Sequence, residues 1–229
     1  MKIILSIFIA FTLINNAYSQ NLDTELQKEL LEIREKDQKY RGNLNKYLQN
    51  PVLIDSLSKS LGVSKQNLGQ ALWAEQMKLD SLNLQRVTEI IRKRGYPGRS
   101  LVGNEAGSAA FLVLQHAPAD TLKKYYPNVQ NAAGQNELPK RHAAMMQDRL
   151  LMYEGNEQIY GTQVRRFQMD DGSRLSVVWP VKDPGKVNEL RREAGFDLTV
   201  EENAKRLGVD YKHYTIEELE EITGERLSD

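Results

Sequence analysis

The sequence predicts a mainly α protein: a helical bundle around one buried central helix, with a single late β-hairpin and a helical C-terminal tail. Three observations carry this. Up to about residue 154 the apolar residues recur mostly at steps of three and four. Residues 109–114 are apolar on every side, as expected of a helix enclosed by others. Over 162–180 the pattern turns β-like around Asp170, Asp171 and Gly172, which is hairpin chemistry.

The elements follow in order. Lys2, an apolar run over residues 3–14, and a polar stretch with small residues at Ala17 and Ser19 have the three-part layout of a secretory leader. Cleavage is expected after Ser19. The run is too short for a bilayer, which needs about 20 residues. Apolar residues at 22, 26, 30, 33, 40, 44 and 47 predict one long amphipathic helix, ended by Pro51. Residues 52–61 read as a short helix closed by Gly62. A helix capped by Ser64 is expected to reach about Arg94, with a stripe of Trp73, Met77, Leu84, Val87 and Ile91. Gly95, Tyr96, Pro97 and Gly98 stop it.

The central helix is expected from Asn104 through Ala117, and a short helix from Asp120. After a loop over 131–136 comes a helix over about 138–154, ended by Gly155. Strands over 162–169 and 174–180 form the hairpin. Asp183 and Pro184 open a helix by cap and first-turn proline. Thr199 with Glu202, and Thr215 with Glu218, are capping boxes heading short tail helices. The expected organisation is a leader over 1–19, a core domain over 20–195 and a C-terminal extension over 196–229, the most separable part.

Removal of the leader leaves about 210 residues, enough for one sizeable core or two small ones. Thirty-one basic residues balance thirty-one acidic ones, which argues against a general nucleic-acid binder. Cysteine is absent, which rules out thiol chemistry and thiolate metal sites. The three histidines, His116, His142 and His213, lack helical ligand spacing, so no metal or cofactor is expected. No segment after the leader is apolar enough to span a membrane. The protein is therefore expected to be exported, to the periplasm or the outside medium.

Several polar residues stand where polarity is costly. Asp37 interrupts the stripe between 33 and 40, and Asp80 interrupts that between 77 and 84. An inward carboxylate needs a donor, a cation or a wet cavity. Arg41, one turn after Asp37, is the expected partner. Asn83 follows Asp80 by three residues. Gln115 and His116 end the central helix, Asp148 and Arg149 lie on the helix before the hairpin, and Tyr160 and Gln163 flank the turn into the first strand.

Two readings stand side by side. In one, these groups form a buried structural network, with His116 a satisfied core histidine. In the other they line a cleft, with His116 the proton-transfer group and Asp37, Asp80 or Asp148 orienting it or acting as a second acid or base. Arg41 and Arg149 would then hold an anionic or carbonyl oxygen, and Asn83, Gln115, Tyr160 and Gln163 would line or bind. Ser56, Leu57, Ser58 and Lys59 match a serine–lysine pattern without its partner motifs. Trp73 and Trp179 are expected in the core.

The ordered set Asp37-Gln38 with Arg41, Asp80 with Asn83, Gly95-Tyr96-Pro97, Val102-Gly103, Leu114-Gln115-His116-Ala117, Asp148-Arg149 and Tyr160-Gly161-Thr162-Gln163 resembles the bacterial domain-of-unknown-function family 6624. Trp179-Pro180, Asp183-Pro184, Val187 and Arg191-Arg192 before Gly195 resemble its end, so the likeness covers about 25–195. It implies that the polar positions form a shared site, and it implies no substrate. The extension after 196 departs from it. The expectation is an exported protein whose polar cleft takes an unknown small molecule and performs metal-independent, hydrolase-type chemistry. The alternative is a non-catalytic module that binds an envelope component.

Overall fold

The computed structural model describes residues 22–41 and 43–227; the expected leader lies outside them. Among the described residues the protein is mainly α with a late β-hairpin, as the patterning predicts.

Helix α1 (Thr24–Gln38) starts on Asp23, whose carboxylate accepts from Leu26 N at 2.9 Å and pairs with Arg94 at 2.7 Å. The expected long helix stops at Gln38 instead of 47. The reason is a side chain from another helix. Gln76 accepts from Tyr40 N at 3.0 Å and donates to Asp37 O at 3.0 Å, satisfying backbone groups that a continuing helix would pair internally. Helix α2 (Leu44–Gln49) and α3 (Pro51–Leu61) follow, with Asn50 capping α3 at Val52 N and Leu53 N.

Helix α4 (Leu68–Arg94) runs antiparallel to α1, since Asp23 meets its last residue and Asp37 its first half. Its buried face is Leu68, Leu72, Gln76, Asn83, Val87, Ile90 and Ile91. That face is rotated from the expected stripe: Trp73 and Met77 are exposed, at 42% and 60%.

The expected central helix is broken at Ser108. Helices α5 (Arg99–Val102) and α6 (Asn104–Gly107) precede α7 (Ala109–Leu114). Gly107 packs on the turn before it, where a Cβ would meet Arg99 N at 3.0 Å and Gly98 C at 3.2 Å. Its carbonyl accepts from the Tyr96 hydroxyl at 3.0 Å. The buried middle stands as expected, with Ala109, Ala110, Phe111 and Leu114 at most 1% exposed.

Helix α8 (Ala119–Gly134) is longer than expected and absorbs much of the predicted loop, because Leu122, Val129, Ala132 and Ala133 give it one buried stripe despite Pro127. It packs on α9 (Lys140–Tyr153). Leu26, Leu30, Ile33, Val87, Ile91, Phe111, Leu122 and Met146 join one core. Each such side chain contributes about 1.5–3 kcal/mol by leaving water.

Strands β1 (Val164–Gln168) and β2 (Arg174–Val178) pair antiparallel, Val164 opposite Val178 and Gln168 opposite Arg174. Successive strand residues face opposite ways, yet Val177 and Val178 are both buried. The helices after the hairpin account for this. Helices α10 (Val187–Glu193) and α11 (Val200–Arg206) bring Val187, Val200 and Ala204 to Val178 and Val181. Helix α12 (Ile216–Thr223) brings Ile216 and Leu219 to Phe167, Val177 and Trp179. Both expected capping boxes are present. The extension thus sandwiches the hairpin. Gly161, at φ 64°, lets α11 seat closely, since a Cβ there would collide with Val200.

Candidate functional site

Four elements meet around a cleft of about 480 Å³ at one end of the bundle. The chain just after α1 supplies Arg41. Helix α4 supplies Trp73, Met77 and Asp80, α7 and the turn after it supply Val113 and His116, and the last turns of α9 supply Arg149 and Tyr153. Arg41, Asp80, His116 and Arg149, singled out in the sequence, therefore share one concavity.

Their partners differ from those expected. Arg41 pairs with Asp80 at 2.5 Å, not with Asp37, and its guanidinium lies 5.4 Å from the centre of the Trp73 ring. Gln76 donates to the other Asp80 oxygen at 2.8 Å and fixes the carboxylate from behind. Among the described residues the Arg149 side chain makes no ion pair and no hydrogen bond. His116 is half-buried at the cleft wall. Burial first, then Arg41 and Arg149, push its imidazole down to about 4 against the pull of Asp80, so the ring is neutral at pH 7.

Asp37 sits one layer deeper, 1% exposed and outside the lining of the cleft. One oxygen accepts from the Gln38 side chain at 2.6 Å; the other, fully enclosed, has no hydrogen-bond partner. Burial raises its carboxyl to about 6, against the Gln38 bond and the charge of Arg41. Asn83 is buried one turn along α4 and donates weakly to Ile33 O at 3.4 Å, joining α4 to α1. Gln115 is buried and outside the lining.

The remaining candidates form a second constellation. Asp148 is wholly buried, and its two oxygens accept from the backbone of Ile159, Tyr160 and Thr162 and from the Thr162 hydroxyl, at 2.8–3.2 Å. Burial nonetheless holds its carboxyl above the usual range. Gln163 donates to Met145 O at 3.3 Å and to the Thr162 hydroxyl at 2.8 Å. Tyr160 O accepts from Arg191 at 2.7 Å. These bonds clamp the 158–163 turn onto α9. Asp148, Tyr160 and Gln163 do not reach the cleft.

Three polar residues in these networks escape sequence reasoning. Gln76 is fully buried and ties Asp37 to Asp80, yet a glutamine on a helix reads as surface. Arg191, 2% exposed, donates to Leu198 O and Tyr160 O; beside Arg192 near a helix end it reads as a solvated cation. Gln158 bonds Gln163 and Trp179 O from a loop position without pattern. Among the described residues no three His, Asp or Glu side chains are grouped to hold a metal ion. No described helix is long and apolar enough to cross a membrane.

No curated protein and no solved structure matches the chain. A family model does, over residues 24–214, running past residue 195 to include α11. The match takes in Arg41, Asp80, His116 and Arg149 together with the Asp148 clamp, and the chain belongs to the Family of unknown function (DUF6624).

Proposed function

We propose that this is an exported enzyme that hydrolyses an acyl ester or a related carbonyl compound, with His116 as the general base. The observation that carries the reading is the neutral imidazole beside two guanidinium groups in one cleft. In the proposed step His116 takes a proton from water as the water oxygen bonds to the carbonyl carbon. The carbonyl electron pair moves onto its oxygen, whose charge faces Arg149 and Arg41. The pair then returns, the bond to the leaving group breaks, and protonated His116 gives that group its proton. Asp80 is a positioning residue that acts through Arg41. Export rests on the leader-like residues 1–19.

The test uses p-nitrophenyl acyl esters of short and medium chain. Hydrolysis should fall by about 10²–10⁴ in His116→Ala and by about 10²-fold in Arg149→Gln. The rate should be level above about pH 5 and decline through about 4 as His116 protonates. Equal rates in wild type and folded His116→Ala, or no turnover of any ester, would overturn the enzyme reading.

One observation favours a second reading. Trp73, Met77 and Tyr153 are exposed along the same cleft, a surface suited to a non-catalytic module that docks an envelope component. Tight binding without turnover selects it.

A further inference from the structure

The charges around the cleft have a definite sum. Arg41 is neutralised by Asp80, which Gln76 holds in place. His116 is uncharged at pH 7. Arg149, with no partner among the described residues, remains as a single positive charge on the lining. A half-buried guanidinium without a carboxylate presents its fork of donors to an incoming oxyanion.

The rest of the lining is largely apolar. Trp73, Met77 and Tyr153 are 42%, 60% and 48% exposed, unlike the buried faces of their helices, and Leu84 and Val113 continue the wall inward. The volume, about 480 Å³, falls within the range of pockets for small molecules. One unpaired cation among exposed apolar side chains selects a molecule with one negative charge and an apolar body.

We propose that the cleft binds a small amphipathic monoanion, its oxyanion head on Arg149 and its apolar body along Trp73, Met77 and Tyr153. This names the product class of the proposed hydrolase, the carboxylate left when an acyl ester is cleaved, and rests on that reading only for the claim that the bound molecule is a product. A dianionic head finds one free cation where it needs two. A neutral head leaves Arg149 facing an uncharged group.

Four probes of equal chain length test it: octanoate, octyl methyl phosphate, octanamide and octyl phosphate. The first two carry one charge and distinguish a carboxylate from a phosphodiester head, the third is neutral, and the last is a dianion at pH 8. Trp73 lines the cleft and Trp179 is fully buried, so intrinsic fluorescence should report occupancy; calorimetry supplies affinities for the variants. At least one monoanion should bind about tenfold or more tightly than octanamide. Arg149→Gln should erase that difference without weakening octanamide, and Trp73→Ala should weaken acid and amide alike. Equal affinity for acid and amide, preference for the dianion, or no binding by any of the four overturns the proposal. Charge-selective binding without ester turnover leaves it standing and removes the hydrolase. His116-dependent ester turnover without charge-selective binding does the reverse.

Discussion

At the scale of single residues the two buried aspartates play opposite parts. Asp148 is held by five hydrogen bonds over 2.8–3.2 Å, whereas Asp37 keeps one enclosed oxygen unpaired. A buried carboxylate with too few donors costs stability whenever it is ionised. The folded protein raises Asp37 from 3.8 to about 6, so its favourable contribution is present below 3.8 and lost as pH rises through 6. Asp37→Asn keeps the shape and removes the charge. It should stabilise the protein by on the order of 2 kcal/mol at pH 7–8, with the gain fading toward pH 4. Urea titrations at several pH values check this, and a loss of stability at neutral pH would contradict it. Pairing Asp37 with Arg41, as the spacing suggests, predicts that loss; the observed Arg41–Asp80 pair removes the basis for it. The inward phase of Asp37 is thus legible from apolar steps, while its partner is not, because partner choice depends on Gln76 across the α1–α4 contact.

Among the elements, those fixed by local signals match expectation and those fixed from a distance do not. The hairpin turn, both capping boxes and the apolar middle of the central helix depend on residues within a few positions of one another. The end of α1 depends on Gln76, and the break at Ser108 on the 98–99 turn packed under Gly107. The rotated face of α4 leaves Trp73 outside, since apolar residues occupy more than one of its sides and periodicity alone does not choose between them. The extension after 195 packs on the hairpin in two apolar clusters apart from the core of the helical bundle. Without residues 196–227, Phe167, Val177 and Trp179 lose Ile216, Leu219 and Leu227, and Val178 loses Val200, Ala204 and Val209 while keeping Val187. A chain ending at Gly195 should lose cooperative unfolding and associate, as read by near-ultraviolet circular dichroism and gel filtration. A monomer with native ellipticity would show instead that the hairpin stands alone.

Over the whole molecule the titrating groups set a response to acid. His116 and His142 are both pushed down to about 4, chiefly by burial, while the unfolded chain takes up these protons near 6.5. Their contribution is full above 6.5 and is lost as pH falls toward 4. Asp37 works against them in nearly the same window. Asp148, also raised by burial, adds to the aspartates' side of the balance. The two histidines add a positive slope of stability against pH between about 4 and 6.5, and a His116→Gln, His142→Gln double variant should lose it, leaving the opposite slope of the buried aspartates. An unchanged slope in the double variant would refute this. Of the ten polar residues singled out in the sequence, Arg41, Asp80, His116 and Arg149 line the cleft; its apolar part was not legible, because Trp73 reads as ordinary core.

The clasp around the hairpin also imposes an order in time. Its strands leave the ribosome before the segments that enclose them. Until α12 has been made, Phe167 and Trp179 lack the cover that shields them, and nascent chains of that length are natural clients for a holding chaperone. Synthesis that stalls between the two halves of the clasp leaves an adhesive intermediate rather than a smaller working protein.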